Sequence, residues 1–296
     1  MASVKVASAQ YPISFFSSWL DWQKHMDRWI AAAVAEQAEL LVFPEYGAIE
    51  LTSLFGENDR QDLTYLARGL SVYIEEFKKY FRKQAVQNNI YILAPSIPVV
   101  DHERVVNRAF VFSSDGKVDY QDKHFMTRFE DEDWKVQSGE PIIKIFKTKS
   151  FSFSVSICFD VEFPGPAQIA ARNGAQILLA PSCTETLKGL HRVHIGARAR
   201  ALENQFFVVV AQTILDSKWS PAVDINTGQA AVYGPPDLGF TDDGVLAQGL
   251  INSEGWVYQD LNLDLIAEVR TQGAVFNYKY NVEQLNPHFT ASIVNF

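Results

Sequence analysis

Three residues with reactive side chains stand where a predicted strand meets a turn. Glu45 closes the apolar run Leu40–Pro44, Lys123 ends a second strand-like segment, and Cys158 follows the run Phe151–Ile157. A thiol becomes a strong nucleophile once a base removes its proton, so this set suggests covalent catalysis. Each residue also has an ordinary structural explanation, as an exposed strand cap, a solvated charge or a buried inert cysteine.

Two residues are candidates for the base that would activate Cys158. His124 would form a cysteine–histidine dyad of the thiol-protease kind, whereas Glu45 would act as a carboxylate base. The context favours Glu45, because it ends an apolar strand whose burial would raise the pKa of the carboxyl group toward neutrality.

Other catalytic motifs are missing from the sequence. It contains no Gly-x-Gly pair, no phosphate-binding glycine loop followed by lysine, and no Gly-x-Ser-x-Gly elbow. His191 and His194 lie three residues apart on a predicted helix, but no cysteine or His-Glu-x-x-His pattern accompanies them. We therefore expect a reaction without a metal or an organic cofactor.

The composition restricts the class of protein and its surroundings. Of 296 residues, 47% are hydrophobic, and 26 Lys and Arg oppose 35 Asp and Glu, so the formal net charge is −9. An acidic chain lacks the basic face that nucleic acid requires, and its apolar runs are too short to span a membrane. Two cysteines make no disulfide framework and the N-terminus resembles no signal peptide, so we expect a cytoplasmic protein.

Short β-branched segments alternate with longer helical ones along the chain. The predicted strands are Val4–Ala9, Leu40–Pro44, Ile90–Pro95, Asn107–Ser113, Val118–Lys123, Phe151–Ile157, Ile177–Ala180 and Phe206–Ala211. The predicted helices are Trp19–Glu39, Leu70–Asn88, Pro164–Asn173 and Leu190–Asn204. This alternation, with a hairpin turn at Asp115-Gly116, predicts a layered α/β domain with a mixed sheet.

Several segments, taken in chain order, resemble those of the nitrilase superfamily of carbon–nitrogen hydrolases. They are Val42–Glu45, Asn107–Lys123, Ser138–Pro141, Ile157–Pro164, Gly174–Ser182 and Arg198–Asn204. The resemblance implies an α/β fold of one domain, residues 1–296, built as a four-layer α-β-β-α sandwich with a C-terminal tail from about residue 271. It also implies a homodimer or larger homo-oligomer, with Pro164–Asn173 and Leu190–Asn204 at the interface.

The resemblance assigns Glu45, Lys123 and Cys158 to a catalytic triad. Cys158 would attack the carbonyl carbon, and Glu45 would take the thiol proton and later give a proton to the leaving amine. Lys123 would stabilise the oxyanion, with the backbone N–H of Phe159 as a second donor, and would lower the pKa of Cys158.

Two further positions near the triad follow from the resemblance. Many relatives carry a second glutamate shortly after the lysine, and Glu130 is the best match here, with Glu132 as the alternative. Cys183 follows Ala180-Pro181-Ser182 at the end of a predicted strand. In this family, that position tends to line the pocket. Cys183 would be a free thiol that shapes the site, or a side chain that packs in the core.

The segment after Cys158 departs from the family pattern. Glu162 stands where many relatives have arginine, and Phe159 replaces a tryptophan typical of nitrile-hydrolysing members, which favours an amide substrate. Glu162 adds to an acidic pocket rim that would prefer amides bearing an amino group or no charge. Alternatively, Glu162 pairs with an arginine such as Arg172 or Arg200 and never meets the substrate.

The residues together predict hydrolysis of a small-molecule amide to a carboxylic acid and ammonia or an amine, through a thioester on Cys158. Nitrile hydrolysis and N-acyl transfer on the same triad are alternatives, as is a non-catalytic binding protein that has kept the fold. Pocket shape, and with it the substrate, depends on loops such as Asp216–Ile225.

Overall fold

The computed structural model describes residues 2–283 and has a mixed α/β architecture. Its strands are β1 (Ser3–Pro12), β2 (Leu40–Val42), β3 (Tyr91–Leu93), β4 (Ile97–Asp101), β5 (Arg104–Phe112), β6 (Val118–Asp122), β7 (Phe146–Lys147), β8 (Ser152–Val155), β9 (Ile177–Ser182), β10 (Phe207–Ile214), β11 (Ala231–Tyr233), β12 (Val245–Gln248) and β13 (Gly255–Asn262). Its α-helices are α1 (Trp19–Ala35), α2 (Glu57–Gln61), α3 (Leu63–Leu70), α4 (Ile74–Asn88), α5 (Arg128–Glu132), α6 (Pro164–Arg172), α7 (Leu187–Asn204) and α8 (Asp264–Gln272).

The strands form two sheets that are joined through β1. The first has the order β4-β5-β3-β2-β1, with β6 paired to β5 and β13 paired to β1. The second has the order β10-β9-β8-β7, and β11 and β12 extend it beyond β10. The end of β1 leaves the first sheet and pairs in parallel with β10, from Gln10 opposite Gln212 to Pro12 opposite Ile214. The two sheets are therefore one curled, hydrogen-bonded surface.

Side-chain alternation along the strands determines the order of the layers. Leu40 and Val42 of β2 belong to the core between the sheets, together with side chains of β8, β9 and β10. Leu41 and Phe43 point the other way, into a second core built with α1 and α4. On the far side, α6 and α7 cover the second sheet. The α-β-β-α sandwich expected from the sequence is confirmed.

The helices differ from the predicted ones at their boundaries. The predicted helix Leu70–Asn88 is wrong at its start, because α3 ends at Leu70 and a 3₁₀ turn, Ser71–Tyr73, separates it from α4. The helix predicted from Trp19 ends at Ala35 rather than Glu39, and Gln37 has a φ of 61° that leaves the helical region. Both boundaries depend on tertiary packing, which periodicity does not record.

Helix α7 lies against the turn that carries the candidate nucleophile. A Cβ placed on Gly196 would stand 2.9 Å from the carbonyl oxygen of Val161, in the 3₁₀ turn Cys158–Glu162. One turn later on α7, Arg200 Nη1 donates a hydrogen bond to the same oxygen at 3.2 Å. The close approach requires glycine at 196, and it packs α7 directly against the turn that carries Cys158.

The described part of the C-terminal segment packs on the domain. Gln205 donates to the carbonyl of Val275 at 3.1 Å and accepts from the N–H of Tyr278 at 3.0 Å. The rest of the tail predicted from the sequence, from residue 284 onward, lies outside the described residues. Within residues 2–283, no helix has the length and apolarity that a bilayer crossing needs.

We predict that Gly196→Ala destabilises the protein by about 1–3 kcal/mol, the usual cost of forcing a methyl group into a filled space. Gly165→Ala, also in a helix, is the control, since its Cβ would meet no atom within 4 Å outside its two chain neighbours. Urea unfolding followed by circular dichroism measures both. A midpoint for Gly196→Ala equal to that of the wild type would contradict the packing described above.

Candidate active site

The three residues singled out in the sequence meet between the two sheets. Glu45 follows β2, and Lys123 directly follows β6, both in the first sheet. Cys158 follows β8, and Cys183 directly follows β9, both in the second sheet. Reactive groups from both sheets thus converge at the strand ends.

Lys123 is the centre of the arrangement. Its Nζ lies 2.8 Å from Glu45 Oε1 and 2.8 Å and 2.6 Å from the two carboxylate oxygens of Glu130. All three side chains are almost fully buried, with 1% exposure for Lys123 and Glu45 and 3% for Glu130. Burial alone would lower the pKa of Lys123, but the two carboxylates raise it well above its usual value. The lysine is therefore a fixed positive charge.

Glu45 is held by donors from three directions. Besides Lys123, the side chain of Asn107 donates to Oε1 at 2.9 Å, and the backbone N–H of Cys183 donates to Oε2 at 3.0 Å. Burial raises the pKa of Glu45 to about 7, against the opposing effect of Lys123 and with a further rise from Glu130. A carboxyl group with this pKa can both accept and return a proton near neutral pH.

Glu130 is oriented from its own helix. Thr127 caps α5, and its backbone N–H and hydroxyl donate to Glu130 Oε2 at 2.9 Å and 2.8 Å. The hydroxyl of Tyr46 donates to Oε1 at 2.6 Å. Burial would raise the pKa of Glu130, but Lys123 and these hydrogen bonds lower it. The alternative, Glu132, instead bonds Arg128 at the surface.

Cys158 occupies a strained turn. Its φ of 48° is left-handed, which is uncommon for a residue with a side chain and recurs at functional sites. Its thiol donates to the carbonyl of Cys183 at 3.6 Å. Burial and the charge of Glu45 raise the pKa of Cys158 well above its usual value, while Lys123 lowers it. The expected effect of Lys123 is present, but burial outweighs it, so the resting thiol is protonated.

Asp160 joins the lysine segment to the cysteine turn. Its carboxylate accepts from the backbone N–H groups of His124 and Phe125, at 3.1 Å and 2.8 Å, and from that of Ile157 at 3.2 Å. The ring of His124, the other candidate base, faces Asp160 and the carbonyl of Glu140. Glu45 is therefore the base candidate that the structure places beside the thiol.

A cavity of about 320 Å³ opens onto Glu45, Lys123 and Cys158. The side chains of Phe159, Glu162 and Cys183, named from the sequence, are among its lining, as is that of Trp134. Its lining also includes Ala222, Val223, Ile225, Glu185, Arg128 and Arg192.

Glu162 pairs with an arginine, as one of the two alternatives expected, but with neither of the arginines named from the sequence. Its carboxylate lies 3.3 Å from Nε of Arg192, on the first half of α7, rather than against Arg172 or Arg200. Arg200 instead bonds Glu203 and the Val161 carbonyl. Because Glu162 also lines the cavity, the ion pair does not remove it from the rim.

Two contributors to the site were not predicted from the sequence. Tyr46 stands next to Glu45 with a φ of 55°, and its hydroxyl donates to Glu130. Asn107 reaches Glu45 from β5, and the hydroxyl of Ser96 donates to its Oδ1 at 2.6 Å. Adjacency to Glu45 could have indicated Tyr46, whereas the contact of Asn107 depends on strand register.

Comparison with known proteins assigns the family. The family model described as carbon-nitrogen hydrolase matches residues 5–271, nearly the whole chain. The chain belongs to the carbon–nitrogen hydrolase family. The nitrilase-superfamily membership expected from the motifs is thereby confirmed.

Relatives in the family are distant in sequence. The chain is 29% identical to "Probable hydrolase YhcX" of Bacillus subtilis (strain 168) over 276 residues, which cover 93% of this chain and 53% of the relative. The chain thus spans about half the length of that protein. It is 28% identical to omega-amidase NIT2 of Mus musculus over 214 residues, covering 69% of this chain and 74% of the relative.

Solved structures show the same fold. Nit3 of Saccharomyces cerevisiae, a member of branch 10 of the nitrilase superfamily, has a TM-score of 0.71 at 23% identity, covering 91% of this chain and 94% of that one. A mutant amidase from Nesterenkonia sp. AN1, with acrylamide added to its active-site cysteine, has a TM-score of 0.69 at 21% identity, covering 91% and 97%.

We predict that Glu130→Gln moves the pH dependence of Cys158 reactivity to lower pH. The negative charge of Glu130 raises the pKa of Glu45. Removing that charge should lower this pKa, and with it the pH at which Cys158 reaches half of its maximal reactivity, by roughly one pH unit, the scale of a charge effect in a buried site. The rate of Cys158 alkylation by iodoacetamide, followed by peptide mass spectrometry across pH, measures this midpoint. Glu132→Gln, at the surface, is the control; an unchanged or higher midpoint in Glu130→Gln argues against the coupling.

Proposed function

We propose that this member of the family hydrolyses a small-molecule amide through a thioester on Cys158. The observation that carries the proposal is the buried Lys123 ammonium, held between two carboxylates and facing a thiol in a cavity. Four ionisable groups concentrated in this way are costly for packing and suited to catalysis. The family assignment and the relatives named as amidases support the same reaction.

Acylation begins when Glu45 takes the proton from the Cys158 thiol as sulfur attacks the carbonyl carbon. The carbonyl π electrons move to oxygen, and the resulting oxyanion is stabilised by Lys123 and the backbone N–H of Phe159. Collapse of this intermediate breaks the C–N bond while Glu45 returns its proton to the leaving nitrogen. Ammonia or an amine departs, and the acyl group remains as a thioester.

Deacylation uses water in the same geometry. Glu45 removes a proton from water as its oxygen attacks the thioester carbon, and Lys123 again faces the oxyanion. Collapse breaks the C–S bond, the sulfur recovers a proton from Glu45, and the carboxylic acid leaves. Glu130 keeps Lys123 in place through both halves, since its two oxygens bond the ammonium.

The cavity supports a small substrate. Its volume of about 320 Å³ is at the low end of ligand pockets, and Ala222, Val223 and Ile225 give it an apolar wall. The lining also carries the carboxylates Glu162 and Glu185 and two arginines, of which Arg192 already bonds Glu162 and Arg128 already bonds Glu132. We therefore propose amides with a short apolar acyl part that carry no negative charge. Faster hydrolysis of carboxylate-bearing amides than of their neutral counterparts would reverse this assignment.

We predict that Cys158→Ala abolishes turnover and leaves the fold intact, because the variant loses the nucleophile but keeps the buried charges. The loss should reach at least about a thousandfold. Ammonia release from a panel of amides measures turnover, and thermal unfolding checks the fold. Mass spectrometry of the wild type should reveal an acyl adduct on the Cys158 peptide; residual hydrolysis by Cys158→Ala near the wild-type rate would end the thioester mechanism.

We also propose a homodimer that packs α6 and α7 of two subunits together. The exposed apolar side chains Ile169, Ile195 and Leu202 on these helices support it. Ile195→Glu should therefore convert the dimer to a monomer in light scattering coupled to gel filtration. Leu250→Glu is the control, since Leu250 is even more exposed than Ile195 but lies outside both helices. A wild-type monomer, or a dimer that survives Ile195→Glu, contradicts this interface.

A further inference from the structure

One loop forms a wall of the cavity and is closed by a buried amide. The wall loop, residues 215–226, follows β10 and contributes Ala222, Val223 and Ile225 to the lining. Asn226 is 2% exposed, and its Nδ2 contacts the Leu215 carbonyl at 3.0 Å and the Val223 carbonyl at 2.8 Å. Compact loops closed by their own side chains in this way are frequently functional.

The same amide is bonded to Cys183. The Sγ of Cys183 donates to Asn226 Oδ1 at 3.3 Å. Burial, with Glu45 nearby, raises the pKa of Cys183 to about 12, so its thiol carries the proton that this bond needs. The side chain of Cys183 therefore connects the end of β9 to the wall loop.

The backbone of Cys183 contacts both reacting groups. Its N–H donates to Glu45 Oε2 at 3.0 Å, and its carbonyl accepts from the thiol of Cys158 at 3.6 Å. One peptide segment thus touches the base and the nucleophile, and its side chain is anchored on the loop that would contact the acyl group. A misalignment of about 1 Å at such a position is enough to cost about a hundredfold in rate.

We propose that Cys183 and Asn226 are a positioning pair, in which the hydrogen bond between their side chains aligns the Cys183 backbone with Glu45 and Cys158. The proposal rests on the proposed function for its role in turnover, but the alignment itself is independent of any substrate. It assigns to Cys183 a hydrogen-bonding task in place of simple space filling.

The proposal predicts the direction in which the pH dependence of Cys158 reactivity should move. A well-aligned N–H at Oε2 stabilises the ionised form of Glu45, so its misalignment raises the pKa of that group and moves the reactivity of Cys158 to higher pH. The titratable groups that face Glu45 are Lys123, Glu130, Tyr46, Cys158 and Cys183. Among these titratable groups, only Cys183 is changed by substitutions at Cys183 and Asn226.

The experiment compares Cys183→Ser with Cys183→Ala, which differ by one hydroxyl donor and little in volume. The first readout is the rate of Cys158 alkylation by iodoacetamide across pH, assigned by peptide mass spectrometry. Cys183→Ser should stay within about threefold of the wild type, whereas Cys183→Ala should lose about tenfold and titrate at higher pH. Identical behaviour of the two variants, whether fast or slow, overturns the proposal in favour of space filling.

Asn226→Ala tests the other partner. It should displace the pH profile in the same direction as Cys183→Ala and at least as far, because it also removes the bonds from Asn226 to the Leu215 and Val223 carbonyls. Adding Cys183→Ala to Asn226→Ala should then change little, since the bond between the two side chains is already absent. Additive losses would contradict the pairing. If a Cys183 variant does not fold, Asn226→Ala alone still decides, since a pH profile equal to that of the wild type would contradict the pairing.

Amide turnover separates this inference from the proposed function. If the wild type hydrolyses the amide panel, Cys183→Ala should lower kcat more than it raises KM, because alignment affects the chemical step. If the wild type hydrolyses no amide and forms no acyl adduct, the proposed function fails. The alkylation profiles then still decide whether the positioning pair exists.

Discussion

The burial of one ammonium group between two carboxylates governs the design of this molecule. Lys123 is 1% exposed and bonds both Glu45 and Glu130. Removing one partner from a buried charge pair typically costs about 3–5 kcal/mol, because the remaining charge is left without compensation. The fold must therefore bring three distant chain segments to one point and hold them there. The hydrogen bonds that Glu45 and Glu130 accept from their other neighbours hold the two carboxylates at the ammonium.

The requirement is met by bonds that cross between the two sheets. The N–H of Cys183, after β9 of the second sheet, donates to Glu45, after β2 of the first. Asp160, beside Cys158, accepts from the backbone next to Lys123. Gly196 then lets α7 press on the cysteine turn from outside. The layers are thus fixed relative to each other at the point where the reactive groups meet.

The layers, and the meeting of Glu45, Lys123 and Cys158, were predicted from short segments that resemble those of the family. Apolar runs and strand–turn junctions mark Glu45 and Cys158, whereas tertiary contacts leave no such mark. Glu50 is an example: it resembles an ordinary surface acid, yet Tyr11 and Trp22 donate to it at 2.7 Å in the second core, and burial raises its pKa to about 8. The contact of Asn107 with Glu45 likewise requires the register of β5, which no local pattern specifies.

The protonation of the resting site follows from the same constraint. The pKa of Glu45 is about 7 and that of Cys158 is well above its usual value, so moving the proton from sulfur to carboxylate is uphill by itself. The transfer leaves the net charge of the buried cluster unchanged, since the negative charge only moves from oxygen to sulfur. In the proposed reaction, attack carries that charge onward to an oxygen beside Lys123, where it is stabilised. The proposed reaction therefore couples deprotonation to attack, so that the charge on sulfur passes directly to the oxygen beside Lys123.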